Sequence, residues 1–84
     1  MGGSGIVVEK INGELKGRLY QVNNNAEMIF YNKDGETRST ITLADPDWEN
    51  PTVVNQSTGE QLSGSWSRHA YEFLFTPGNN YRVE

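Results

Sequence analysis

The sequence predicts an all-β domain: a small antiparallel β-sandwich, or a barrel-like variant of one, of about seven to eight short strands. Three observations carry that expectation. Turn signals rich in Gly, Pro and Asn recur at spacings of roughly ten residues. Between them, apolar and polar residues alternate with the period of two that a half-buried strand requires. No long run places its apolar residues at helical spacing.

The elements follow in order. Met1-Gly2-Gly3-Ser4-Gly5 reads as an initiator and a flexible spacer of the kind appended for expression, which leaves residues 6–84 as a single domain. "IVVEKI" and "ELKGRLYQV" flank Asn12-Gly13. Both turn residues tolerate the positive φ of a type I′ turn, so the pair predicts a two-residue hairpin. Asn23-Asn24-Asn25 is a polar break. "AEMIFYN" then reads as a strand with Met28 and Phe30 on one face and Ile29 and Tyr31 on the other. A second tight hairpin falls at Lys33-Asp34-Gly35-Glu36. It leads into "TRSTITL", where Thr37, Ser39, Ile41 and Leu43 share one face and Arg38, Thr40 and Thr42 take the wet one.

"TVVN" is a short strand, and "QSTGEQ" a turn centred on Gly59. "QLSGSW" is weak, its Ser63, Gly64 and Ser65 suggesting an edge or a bulge. "HAYEFLF" is the strongest strand, with His69 at its start and Tyr71, Phe73 and Phe75 on the core face. Thr76-Pro77-Gly78-Asn79-Asn80 is a turn, since Pro suits its first corner and Gly its left-handed one. "YRVE" closes the chain with Tyr81 and Val83 facing inward.

A domain of 84 residues buries only roughly 60% of its unfolded surface, so three Phe, four Tyr and two Trp must supply much of the core. Cysteine is absent, which removes disulfides and thiolate metal sites. Eleven acidic against seven basic side chains leave a net charge of −4, and the basic residues are scattered along the chain. A nucleic-acid partner calls for a basic face, and an anionic membrane disfavours the same surface. No segment approaches the ~20 apolar residues of a membrane-spanning helix, and no signal peptide is evident.

The stretch "ADPDWENP", residues 44–51, holds three carboxylates around Trp48. Asp45 before Pro46 resembles an N-cap with Pro at the first helical position, so one helical turn over 46–49 is expected, with Trp48 folding back as a lid. Asp45, Asp47 and Glu49 alternate as calcium ligands do, but the loop lacks the glycine of a sharp ligating turn, and a corner is the preferred reading. A glycosidase needs two carboxylates opposed across a cleft, which three acids on one loop do not supply. His69, the lone histidine, would need a serine and an acid brought to it from elsewhere for triad chemistry. With no phosphate loop or dinucleotide fingerprint either, catalysis and cofactors are not expected.

The aromatic residues remain. Sugars stack their C–H faces on exposed planar rings while amides and carboxylates take the hydroxyls. Trp66, Trp48, Tyr20 and Tyr31 are the candidate ligand-binding residues, with Asn23, Asn24, Asn25 and Gln61 as polar companions. Core packing is the competing role, stronger for Trp48 than for Trp66, whose neighbours Ser65, Ser67 and Arg68 are polar.

From Ile41 onward, the order "TITL", "ADPDW", "TVVN", "STGEQL", "YEFLF" and "TPGNNYRVE" resembles the small C-terminal β-sandwich domains that follow the catalytic barrel in bacterial glycoside hydrolases and related polysaccharide-degrading enzymes. There, a valine-polar-turn segment ending in Thr-Gly-Glu and a final Pro-Gly-x-x-Tyr-Arg-Val strand recur in this arrangement. The resemblance covers about half of the chain and rests on turn chemistry. It implies a monomeric, non-catalytic accessory module of an extracellular or cell-surface enzyme, packed on the catalytic domain and contacting polysaccharide weakly. The alternative is a structural or protein-interaction module, such as a surface or phage component, with no glycan binding.

Overall fold

The computed structural model describes residues 6–20, the backbone of 26–31, and residues 36–84. The spacer at 1–5, the asparagine run at 23–25 and the turn at 33–35 lie outside the described residues, as does the side chain of Tyr31. Nine strands and no helix occur among those described: β1 (Ile6–Ile11), β2 (Glu14–Tyr20), β3 (Ala26–Tyr31), β4 (Arg38–Leu43), β5 (Val53–Asn55), β6 (Gln61–Leu62), β7 (Ser65–Ser67), β8 (Ala70–Leu74) and β9 (Tyr81–Val83). They form a four-stranded sheet in the order β1-β2-β8-β7 and a five-stranded sheet in the order β3-β4-β9-β5-β6.

The two sheets bury their facing sides against each other. Ile6, Leu19, Tyr71, Phe73 and Phe75 come from the first sheet and its continuation, and Ile41, Leu43, Val53, Tyr81 and Val83 from the second. Phe73, Phe75 and Tyr81 form the centre, with ring centroids 5.2–6.4 Å apart. Each such side chain contributes roughly 1.5–3 kcal/mol by leaving water. The alternation predicted for β4 and β8 is therefore the alternation that builds the sandwich. Gly17 stands opposite Phe73 in the β2–β8 ladder, and a Cβ there would lie 2.8 Å from the ring. The glycine is the hole that the phenylalanine fills.

Turn chemistry also matches the sequence. Asn12 and Gly13 take φ of 51° and 83° between the paired residues Ile11 and Glu14. Gly78 takes φ of 90°, and Asn79 N–H donates to the Thr76 carbonyl at 3.2 Å, closing the Pro77-Gly78 turn. That turn is tied inward where Gly78 N–H donates to the buried Ser39 hydroxyl at 2.9 Å. The buried Asn55 amide oxygen accepts from the N–H groups of Ser57 and Thr58, shaping the turn before Gly59.

Three features differ from expectation. The surplus strand arises at "QLSGSW", expected as an edge or bulge: Gln61 and Leu62 pair with β5 in one sheet, whereas residues 65–67 pair with β8 in the other. Both β6 and β7 are indeed edge strands, and Ser63-Gly64 carries the chain from sheet to sheet. Gly64 is needed there because a Cβ would lie 2.5 Å from both the Glu72 carbonyl oxygen and the Tyr71 ring.

The sandwich is also not purely antiparallel, since β4 and β9 pair in parallel. β9 inserts between β4 and β5. Those two strands run in opposite directions, so a strand placed between them must be parallel to one.

This insertion explains residues 44–52. They form an arch over the end of β9, crossing two strand spacings, or about 9.6 Å. Ala44 N–H donates to the Val83 carbonyl at 2.9 Å, and Thr52 and Glu84 exchange two hydrogen bonds on the other side. The expected helical turn over 46–49 is absent. Asp45 takes φ of 49°, incompatible with the extended backbone of an N-cap. Asp47 takes the organising role instead: its carbonyl accepts from Asn50 N–H at 3.0 Å and its carboxylate from Glu49 N–H at 3.1 Å. With both ends of the arch claimed by β9, the loop closes as a β-turn rather than winding.

Candidate functional site

The arch and the sheet-switching segment meet at one margin of the sandwich. On β7, Trp66 stands directly across from Tyr71 of β8, their rings edge-on with centroids 5.4 Å apart. Tyr71 is buried, and its hydroxyl oxygen accepts from Gly64 N–H at 3.1 Å. Trp48 reaches over from the arch, half-buried against the core, with its ring centroid 6.4 Å from that of Trp66 and the planes inclined by 58°. Trp66 remains 42% exposed. The lid expected of Trp48 is therefore present, and it lies beside the more exposed ring.

Tyr71, which carries the edge contact with Trp66, also lines a shallow hollow of about 260 Å³ together with Asn50, Thr52, Gln61, Leu62 and Ser63. The lining offers two amides and two hydroxyls, groups that both donate and accept hydrogen bonds. Trp48 and Trp66 are thus brought together, and Gln61 lines a hollow that shares Tyr71 with Trp66.

Tyr20 is elsewhere. It lies on the outer face of the four-stranded sheet, two residues along β2 from Arg18, and its hydroxyl accepts from Arg18 Nη1 at 2.8 Å. The Arg18 guanidinium lies 5.5 Å from the Tyr20 ring centroid. β3, which carries Tyr31, is the far edge of the other sheet.

In the sequence Arg18 is only one of the scattered cations, with no motif around it. It is nearly buried, although it lies on an outer sheet face. Nε donates to Glu72 at 2.9 Å and Nη1 to Glu9 at 3.3 Å. Nη2 donates to the carbonyls of Ser67 and Arg68, at 3.0 and 3.3 Å. Burial by itself lowers the guanidinium pKa; the hydrogen bonds to Glu72 and Glu9 outweigh it and raise the pKa above its ordinary value. The charge is therefore permanent, and it fastens the β7–β8 turn to the sheet.

That turn consists of Arg68 and His69, set between the paired residues Ser67 and Ala70. His69, expected within the strand, is an exposed turn residue. Both residues take positive φ, 49° and 69°. A non-glycine side chain in the left-handed region costs on the order of 1 kcal/mol. Among the described residues, no serine or carboxylate is hydrogen-bonded to His69. No group of three or more His, Cys, Asp or Glu converges as a metal site among them either.

Comparison with protein-family models, with curated proteins and with solved structures gives no match.

Proposed function

We propose that the protein is a non-catalytic β-sandwich accessory module of an extracellular carbohydrate-active enzyme, packed on a catalytic domain and touching glycan weakly through Trp66 and Trp48. The observation that carries this reading is the exposed Trp66 ring packed on Tyr71, which also lines a hollow with Asn50, Thr52, Gln61 and Ser63. A sugar face stacked on Trp66 would meet Trp48 as an inclined wall, and its hydroxyls would find amide and hydroxyl partners. Stacking of this kind combines an apolar face with polar edges, which suits a half-wet margin. The sequence order of motifs in the C-terminal half, which resembles that of accessory domains of polysaccharide-degrading enzymes, supports the same reading.

Both tryptophans of the chain lie at this margin, so tryptophan emission reports on it alone. The test is retention in a polysaccharide-containing gel, together with emission during titration with soluble oligosaccharides. Trp66→Leu keeps apolar contact with Tyr71 and removes the planar ring. The variant should stay folded by circular dichroism and lose retention. Unchanged retention of the variant, or no retention of the parent on any neutral or acidic polymer, would sink the reading. A protein-interaction module would then take its place. That second reading has its own observation: among the described residues β1 is an edge strand, with Val7 exposed, and an edge strand is a surface on which extended partners pair.

A further inference from the structure

The β7–β8 turn has a shape that its residues do not favour. Asn12-Gly13 fill the same two-residue, doubly positive-φ turn with residues that adopt it readily, whereas the β7–β8 turn uses Arg68 and His69. Local backbone preference works against that choice, and Arg18 holds the turn in place through the carbonyls of Ser67 and Arg68. Strained backbone that the surrounding structure over-determines is characteristic of recognition sites.

We propose that this turn is a recognition tip that selects acidic polysaccharide, with Arg68 engaging a uronate carboxylate of a chain whose neighbouring ring rests on Trp66. The inference builds on the glycan reading and names its substrate class. Arg68 follows Trp66 by two positions, in the turn that ends β7, so neighbouring units of one sugar chain can reach both. Its side chain is exposed, and among the described residues it has no ion-pair partner. The carboxylates of Glu9 and Glu72 are both engaged by Arg18. A guanidinium presents a planar fork that matches a carboxylate with two parallel hydrogen bonds. The rigid turn limits the freedom lost on binding. With a net charge of −4, the protein as a whole repels a polyanion, so the attraction is local and short-ranged.

The experiment compares the parent with the double variant Arg68→Asn/His69→Gly and with Arg68→Gln, by gel retention on polygalacturonate and on neutral xylan at low and high salt. Asn-Gly is the preferred pair for this turn, so the double variant should melt above the parent while binding polygalacturonate at least tenfold more weakly. Arg68→Gln, which leaves the turn at position 69 untouched, should show the same loss. Parent retention on polygalacturonate should fall as salt rises. Variants retained on polygalacturonate as well as the parent would overturn the proposal. A parent retained on xylan but not on polygalacturonate would overturn it as well, leaving the glycan reading in place. Retention on neither polymer would remove both.

Discussion

Gly64→Ala probes the link between the fold and the candidate site. A Cβ at this position would lie 2.5 Å from the Glu72 carbonyl oxygen and 2.5 and 2.8 Å from two atoms of the Tyr71 ring. Neither neighbour yields easily. β8 is hydrogen-bonded on both sides, to β2 and β7, and Tyr71 is part of the core. The segment 63–65 must therefore move outward. Overpacking of this kind costs about 1–3 kcal/mol. Displacement also breaks the bond from Gly64 N–H to the Tyr71 hydroxyl, worth about 1 kcal/mol, and weakens the edge contact between Trp66 and Tyr71. The total comes to about 2–4 kcal/mol, a large part of the roughly 4–13 kcal/mol that a chain of this length commands. Urea unfolding followed by tryptophan emission measures it. With a slope near ~1 kcal/mol/M, the midpoint should fall by about 2 M or more, whereas exposed Ser63→Ala should stay within about 0.5 kcal/mol of the parent. The native emission of Gly64→Ala should also shift to the red as Trp66 loses its packing. A variant as stable as Ser63→Ala, with unchanged emission, would show that the chain does not cross between sheets at this point.

Gly17→Ala places a methyl group 2.8 Å from the Phe73 ring at the centre of the core, so melting should fall by an amount corresponding to about 1–3 kcal/mol. A neutral outcome would place Phe73 somewhere other than over β2. The arch makes a different prediction. Asp47 spends its carboxylate on Glu49 N–H and both ends of the loop are bonded to β9 or its continuation, so millimolar calcium should leave the melting temperature where chelator leaves it. A clear rise with calcium would make the three acids of the arch a metal site after all.

The hairpin at Asn12-Gly13, the turn at Pro77-Gly78 and the inward faces of β4 and β8 were legible because each is set by neighbours in sequence. Positive φ selects Gly and Asn, proline fixes one corner, and a pleated strand alternates its faces regardless of its partner. At the candidate site, the polar neighbours of Trp66 were readable in the same way but left core and exposed roles open, and the ring is in fact both packed on Tyr71 and 42% exposed. Its association with Trp48, and with the hollow between Asn50 and Ser63, was not readable. That depends on which strand lies beside which. Alternating strands satisfy their local preferences in many sheet orders, and the choice among them is made by long-range burial. Tertiary structure alone placed β9 between β4 and β5, turned a presumed helical corner into an arch, and split "QLSGSW" between two sheets. It likewise joined Arg18 to Glu72, 54 positions away, and thereby held Arg68 and His69 in a turn that their own backbone preferences oppose. Interactions across such separations leave no periodic trace in the chain, because they exist only once the sheets have closed.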